Sequence, residues 1–159
     1  MTEKIGKLAI TVGIPLSGKS VFSKKMMKDG WTVINPDTFR RVYSGTENTL
    51  LDSYSEKKVW DAVHLSAESL LVYGHDVLID ATNCNTWARK KWKCLSDYHN
   101  IELEIYVLPF NVKLSIKRNK KIGRFLDGFG TPSSKVIDKF AKNYVPPDET
   151  EGKIIEVEL

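Results

Sequence analysis

Residues 13 to 20 read Gly13-Ile-Pro-Leu-Ser-Gly18-Lys19-Ser20, an instance of the pattern G-x-x-x-x-G-K-[ST]. No other stretch constrains the fold as much, because the pattern works only where a strand enters it and a helix leaves it. Both neighbours fit. Lys7-Leu-Ala-Ile-Thr-Val12 is a short β-leaning apolar run, and Val21 to Lys28 has amphipathic helical spacing closed by Asp29-Gly30. Glycines let successive backbone N–H groups turn inward, and the helix amino terminus adds partial positive charge. Polyphosphate can then be held without a buried counter-charge. In that role Gly13, Ser17, Gly18, Lys19, Ser20 and Val21 line the cradle. Lys19 reaches the β- and γ-phosphates, and the Ser20 hydroxyl ligates Mg2+. ATP and Mg2+ are the expected cofactors; the competing reading of these residues is a simple glycine turn.

The rest of the chain alternates strand and helix. Trp31-Thr-Val-Ile-Asn35 reads as a strand stopped by Pro36, and Val59 to Tyr73 as a helix stopped by Gly74. Val77-Leu-Ile79 is a short, wholly apolar strand, Thr86 to Tyr98 a helix, Ile101 to Leu108 a strand, and Val112 to Lys121 a helix. Gly123 to Pro132, with three glycines, reads as a mobile loop, and Ser133 or Ser134 caps a last helix to about Tyr144. Ile154 to Leu159 reads as the final strand, and Ser44 to Ser55, the least patterned stretch, as an exposed loop. Central strands apolar on both faces predict an α/β fold: a parallel sheet of about five strands with helices on both faces. At 159 residues, with no repeat and no linker, the chain is expected to be a single domain, with a lid at about 118–135.

In an open parallel sheet, ligands sit beyond the carboxyl ends of the strands. Two carboxylates fall there. Asp37 follows the second strand, and Arg40 lies three residues on, sharing a helical face with it. An acid beside an arginine suits a base that accepts a hydroxyl proton while the arginine grips a substrate phosphate. The alternative is that Asp37 only caps a helix. Asp80 closes the third strand and is placed like a Walker-B acid holding Mg2+ or its water, with a cap or turn as the rival reading. Thr82 and Asn83 add short polar groups beside it.

The net charge of +4 conceals an asymmetry. Nine basic residues and two acidic ones lie between Lys113 and Lys142, whereas the tail from Pro146 holds five acidic residues and one lysine. Phosphoryl transfer needs positive charge around the equatorial oxygens and water kept out, which a lid carrying Arg118, Lys121 and Arg124 would supply. A solvated helix face is the rival. Trp87-Ala-Arg-Lys-Lys-Trp92-Lys has the composition of a nucleic-acid surface. Yet Trp87, Lys91 and Cys94 recur at helical spacing, which puts the tryptophans in the core. Cys84 and Cys94 read as small interior hydrophobes, and the three histidines as structural. No apolar run approaches membrane-span length, no signal-peptide stretch opens the chain, and two cysteines make no disulfide framework. A cytoplasmic setting without membrane association is expected.

Taken in order, Gly13 to Ser20, Val33-Ile-Asn-Pro-Asp37-Thr-Phe-Arg40, Val77-Leu-Ile-Asp80-Ala-Thr-Asn83, Leu114-Ser-Ile-Lys-Arg118-Asn119 and Thr131-Pro132 with Val136-Ile137 resemble the 5′-hydroxyl polynucleotide kinase domain of the bacteriophage type. That domain is one of the P-loop kinases grouped under an AAA-like name. The tail, Tyr144-Val-Pro-Pro to Ile155, is similar to how such domains end. The resemblance implies that Lys19 and Ser20 bind the donor and that Asp37 is general base on the 5′-hydroxyl. Arg40 would hold the acceptor's adjacent phosphate, with Asp80 and Thr82 orienting that arginine and the acceptor; Asn83 joins the acceptor side. The role of Asp80 thus stands open between metal and acceptor. One position departs from the family pattern: four residues after the match to Arg118, where the family has a catalytic arginine, stands Ile122. Lys121 or Arg124 would have to act in its place. The resemblance covers no 3′-phosphatase domain.

The function expected from these residues is transfer of the γ-phosphoryl of ATP to the 5′-hydroxyl end of DNA or RNA. Two alternatives remain: a P-loop kinase for a small-molecule hydroxyl (nucleoside, sugar or antibiotic), and a non-catalytic nucleotide-binding module that regulates a partner. The basic surface favours a polynucleotide acceptor, and Asp37 with Arg40 favours an enzyme.

Overall fold

A computed structural model describes residues 4–45, 51–122 and 134–159. The strand entering the glycine loop, β1 (Leu8–Val12), is buried at every position. It is flanked by strands on both sides and covered on both faces, so even its Thr11 is interior. The Thr11 hydroxyl is satisfied by donating to the carbonyl of Ala81 at 2.8 Å. The helix α1 (Lys19–Lys28) follows, then β2 (Thr32–Ile34), α2 (Pro36–Ser44), α3 (Ser53–Val72), β3 (Val77–Ile79), α4 (Thr86–Tyr98), β4 (Leu103–Val107), α5 (Val112–Ile122), α6 (Ser134–Lys142) and β5 (Lys153–Glu156). All four strand pairings are parallel, in the order β2-β3-β1-β4-β5. The expected five-stranded parallel sheet with helices on both faces is the one observed. The chain crosses β1 between β3 and β4, so the crevice beyond the carboxyl end of β1 is where the topology switches sides.

The two faces divide the helices. Leu8, Ile10, Val12, Val77, Ile79, Leu103 and Ile105 pack against Val59, Val63, Ala67 and Leu71 of α3 and Trp92 of α4. Ala9, Leu78 and Leu108 pack against Phe22 and Met26 of α1. Each fully buried Val or Leu side chain contributes about 1.5–3 kcal/mol. A third cluster joins Ile14 and Leu16 of the glycine loop to Val112 and Ile116 of α5 and Ile137 and Phe140 of α6. The two basic helices are therefore rooted on the loop itself.

Two helices are longer than their periodicity suggests. α1 starts at Lys19, inside the motif, and α3 starts at Ser53, where Asp52 caps it by accepting the Ser55 N–H at 2.7 Å. Polar residues fill that first turn of α3, so the apolar repeat becomes visible only at Val59. The loop expected over Ser44 to Ser55 is accordingly shorter, and α2 runs on to Ser44. The tryptophans part company: Trp92 is fully buried, but Trp87 is 83% exposed. Five positions on a helix turn a side chain well away from its predecessor's face, and α4 buries Arg89, Trp92 and Ser96 instead of the 87-91-94 stripe. Cys94 lies on that outward stripe and is exposed; Cys84 is interior as expected. Most of the expected lid, residues 123–133 with Arg124 among them, lies outside the described residues.

Candidate active site

The glycine loop turns through two strained or crowded points. Leu16 has φ 62° and Gly18 φ 109°, so the loop reverses direction within three residues. A side chain at Gly18 would be both left-handed and in collision with Leu159, 2.2 Å away. At Gly13 an added Cβ would stand 2.5 Å from the Ser17 Oγ. That Ser17 hydroxyl is buried and has no hydrogen-bond partner among the described residues. Lys19 folds back over the same space and donates to the carbonyls of Gly13 and Ile14 at 2.9 and 2.7 Å. Burial pulls its ammonium down to about 8, while Cys84 and Asp80 nearby oppose that shift. Arg118 of α5 reaches across and donates to the Leu16 carbonyl at 2.8 Å, placing a guanidinium against the loop's outer turn. Ser20 and Val21 lie exposed at the start of α1, and Lys121 is exposed at the end of α5.

Asp80 leaves β3 beside this loop and is 8% exposed. Its pKa is raised, foremost by burial; Ser23, Lys19 and Asn35 pull the other way, and Asp37 adds to the rise. Asp80 thus lies within electrostatic reach of both Lys19 and Asp37 at the carboxyl edge of the sheet. The donors suit Mg2+. A hydroxyl at Ser20 and a carboxylate at Asp80 are hard oxygen ligands of the kind Mg2+ takes. Among the described residues no cluster of three or more His, Cys, Asp or Glu could hold a metal ion. A cation here would therefore complete its shell from phosphate oxygens and water.

The neighbouring edge of the crevice, around Asp37, is built from side chains. Asn35 caps α2 by accepting the Asp37 N–H at 2.8 Å, and Pro36 fills the first helical position. The cap is thus Asn35, which frees the Asp37 carboxylate for other work. Arg40, one turn on, donates to Asp37 Oδ1 at 2.6 Å. Its Nε contacts both Glu56 oxygens at 3.1 and 3.0 Å, and its Nη2 also pairs with Glu56. Trp60 Nε1 donates to the same Glu56 at 3.1 Å, and the guanidinium lies 5.9 Å from the Trp60 ring centroid. Burial alone would lower the Arg40 pKa, but the carboxylates of Glu56 and Asp37 outweigh it and raise the value. Glu56 was not among the residues expected from sequence. Its signal was the Glu56-to-Trp60 spacing of four behind a helix cap at Asp52.

Thr82 and Asn83 fall on the turn after Asp80. The Thr82 carbonyl accepts the Gly13 N–H at 3.0 Å, tying that turn to the glycine loop. Asn83, expected on the acceptor side, is 3% exposed, and its amide donates to the Thr11 carbonyl at 2.9 Å. With φ 43° it shapes the turn from beneath. Below it lies a second residue missed in the sequence: Arg89, 1% exposed, donates to the carbonyls of Asn83 and Val145 at 2.9 and 3.0 Å and pairs with Glu151 at 3.0 Å. A mid-helix arginine looks like any solvated cation until its depth is known.

Residues 8–147 match the family described as AAA domain. Among solved structures, a chain of the Pnkp1/Rnl/Hen1 RNA repair complex is similar at 26% identity with a TM-score of 0.71, over 89% of this chain and 45% of that one. This chain thus spans less than half the length of that relative. A gluconokinase from Sinorhizobium meliloti 1021 aligns at 16% identity and TM-score 0.63, over 99% and 85% of the two chains. Kti12 of Chaetomium thermophilum, solved with ADP-AlF3, aligns at 14% identity and TM-score 0.67, over 94% and 88%. The last two show the fold alone.

Proposed function

The chain belongs to the AAA domain family, and on that premise we propose that it is an ATP-dependent kinase that transfers the γ-phosphoryl group to the 5′-hydroxyl end of DNA or RNA. The observation that carries this reading is the Asp37–Arg40–Glu56 assembly at the sheet edge next to the glycine loop. Asp37 accepts the hydroxyl proton, leaving the oxygen to attack the γ-phosphorus in line. Arg40, oriented by Glu56, grips the phosphate on the acceptor's other side. Lys19 and the loop amides neutralise the developing charge, and Arg118 adds to it from α5. Mg2+ held through Ser20 and Asp80 would supply further charge neutralisation on the phosphates. The likeness to a chain of an RNA repair complex supports a polynucleotide acceptor.

The test uses labelled ATP and Mg2+ with 5′-hydroxyl oligonucleotides, a nucleoside panel and sugars including gluconate. Label on oligonucleotides is the expected result. Label on small acceptors alone overturns the polynucleotide reading, and tight ATP binding without transfer to any acceptor overturns the enzyme.

A further inference from the structure

The outward stripe of α4 presents aromatic and basic side chains to solvent. Trp87 and Tyr98 are 83% and 79% exposed at its two ends, eleven residues or about 16 Å apart along the axis. Between them Lys90, Lys91 and Cys94 are also exposed. Lys93 is paired with Asp97, but among the described residues no carboxylate bridges Lys90 or Lys91. A single exposed aromatic is ordinary on a protein surface. An indole with unbridged ammonium groups three and four residues on is the chemistry of a single-stranded nucleic-acid platform, where bases stack and phosphates pair.

The position of α4 connects that stripe to the crevice. The helix begins just after the Asp80–Asn83 turn, with Asn85 as its cap. Lys91 acts electrostatically on Asp61 and His64 of α3, and the His64 ring stacks 3.9 Å from Trp92. The middle of α4 therefore lies beside the middle of α3, within about one turn of Trp60, which with Glu56 holds Arg40. Trp87, one turn before Lys91, lies in the first turn of α4, the turn nearest the Asp80–Asn83 segment from which the helix starts.

We propose that Trp87, Lys90 and Lys91 form a platform for the acceptor strand, on which a base beyond the phosphorylated end stacks against the indole while the two ammonium groups contact its phosphates. The inference rests on the polynucleotide reading above and adds a determinant of acceptor length to it. A strand long enough to reach α4 binds better than a minimal acceptor that fills only the Asp37–Arg40 crevice.

The experiment compares a nucleoside 3′-monophosphate with a single-stranded 5′-hydroxyl twelve-mer as acceptors, and measures twelve-mer binding by fluorescence anisotropy across a salt series. Trp87→Ala should raise the KM for the twelve-mer about tenfold, leaving the KM for the mononucleotide, the KM for ATP and the melting temperature unchanged. Trp87→Phe should restore most of the loss. The double variant Lys90→Gln, Lys91→Gln should reduce the slope of log affinity against log salt by about 1–2. A wild-type enzyme that phosphorylates the twelve-mer, with a KM that Trp87→Ala does not change, overturns the platform and leaves the kinase reading intact. Wild-type transfer to neither nucleotide acceptor but to a sugar overturns both.

Discussion

On the proposed function, the donor and acceptor sides of the crevice are made by different means. On the donor side eight consecutive residues do most of the work. The strand, the turn and the helix start are contiguous, and the turn is shaped by close approaches at Gly13 and Gly18. The acceptor side would take Asp37 and Arg40 from α2 and Glu56 and Trp60 from α3. Backbone recognition tolerates drift in the surrounding sequence. Side-chain recognition fails with a single carboxamide, so the acceptor is where specificity can be lost or changed.

Substitutions should separate the two sides. Lys19→Met strikes both phosphate binding and charge neutralisation, and transfer should fall by about three orders of magnitude with weaker ATP binding, read by label transfer and calorimetry. Asp37→Asn should lower kcat by about two orders of magnitude or more while the ATP Kd stays constant. An ATP Kd that rises in parallel would show the two sides to be one unit. Glu56→Gln removes one of the two carboxylates holding Arg40, a charge-assisted contact worth about 1.5–3 kcal/mol. The acceptor KM should rise about tenfold or more, again at constant ATP Kd. A smaller effect belongs to the donor side alone. Lys19, at about 8 in the free protein, is driven back to its charged form by bound phosphate. Nucleotide binding is then strongest below pH 8 and weakens as pH rises above it, by at most tenfold per unit, with proton uptake detectable by calorimetry in buffers of different ionisation enthalpy. An ATP Kd flat from pH 7.5 to 9.5 would contradict this.

The same contrast explains how much could be read in advance. The glycine loop, the alternation of strand and helix, and Asp37 with Arg40 three residues on are all patterns within ten residues, and each was legible. Glu56 was not, because its partner Arg40 sits sixteen positions away and the first turn of α3 is polar. Arg89 was read as one of several cations, although its partners are sixty-two and fifty-six residues distant. Trp87 and Trp92 carry equal hydrophobicity, and only the rotation of α4 against the sheet decides which of them faces inward. Local periodicity names the elements; their phase against neighbours contributed from far along the chain is a property of the assembled sheet.

The buried Arg89 has a consequence for the order in which each molecule becomes competent. Its guanidinium ties the Asn83 turn to Val145 and Glu151, more than fifty residues further along the chain. On the ribosome, the loop that grips nucleotide and the helices around it emerge well before those two residues. If the proposed function holds, a nascent chain would acquire its hold on the phosphate donor first, and the acceptor side would be braced only after the segment carrying Glu151 has left the exit tunnel and docked.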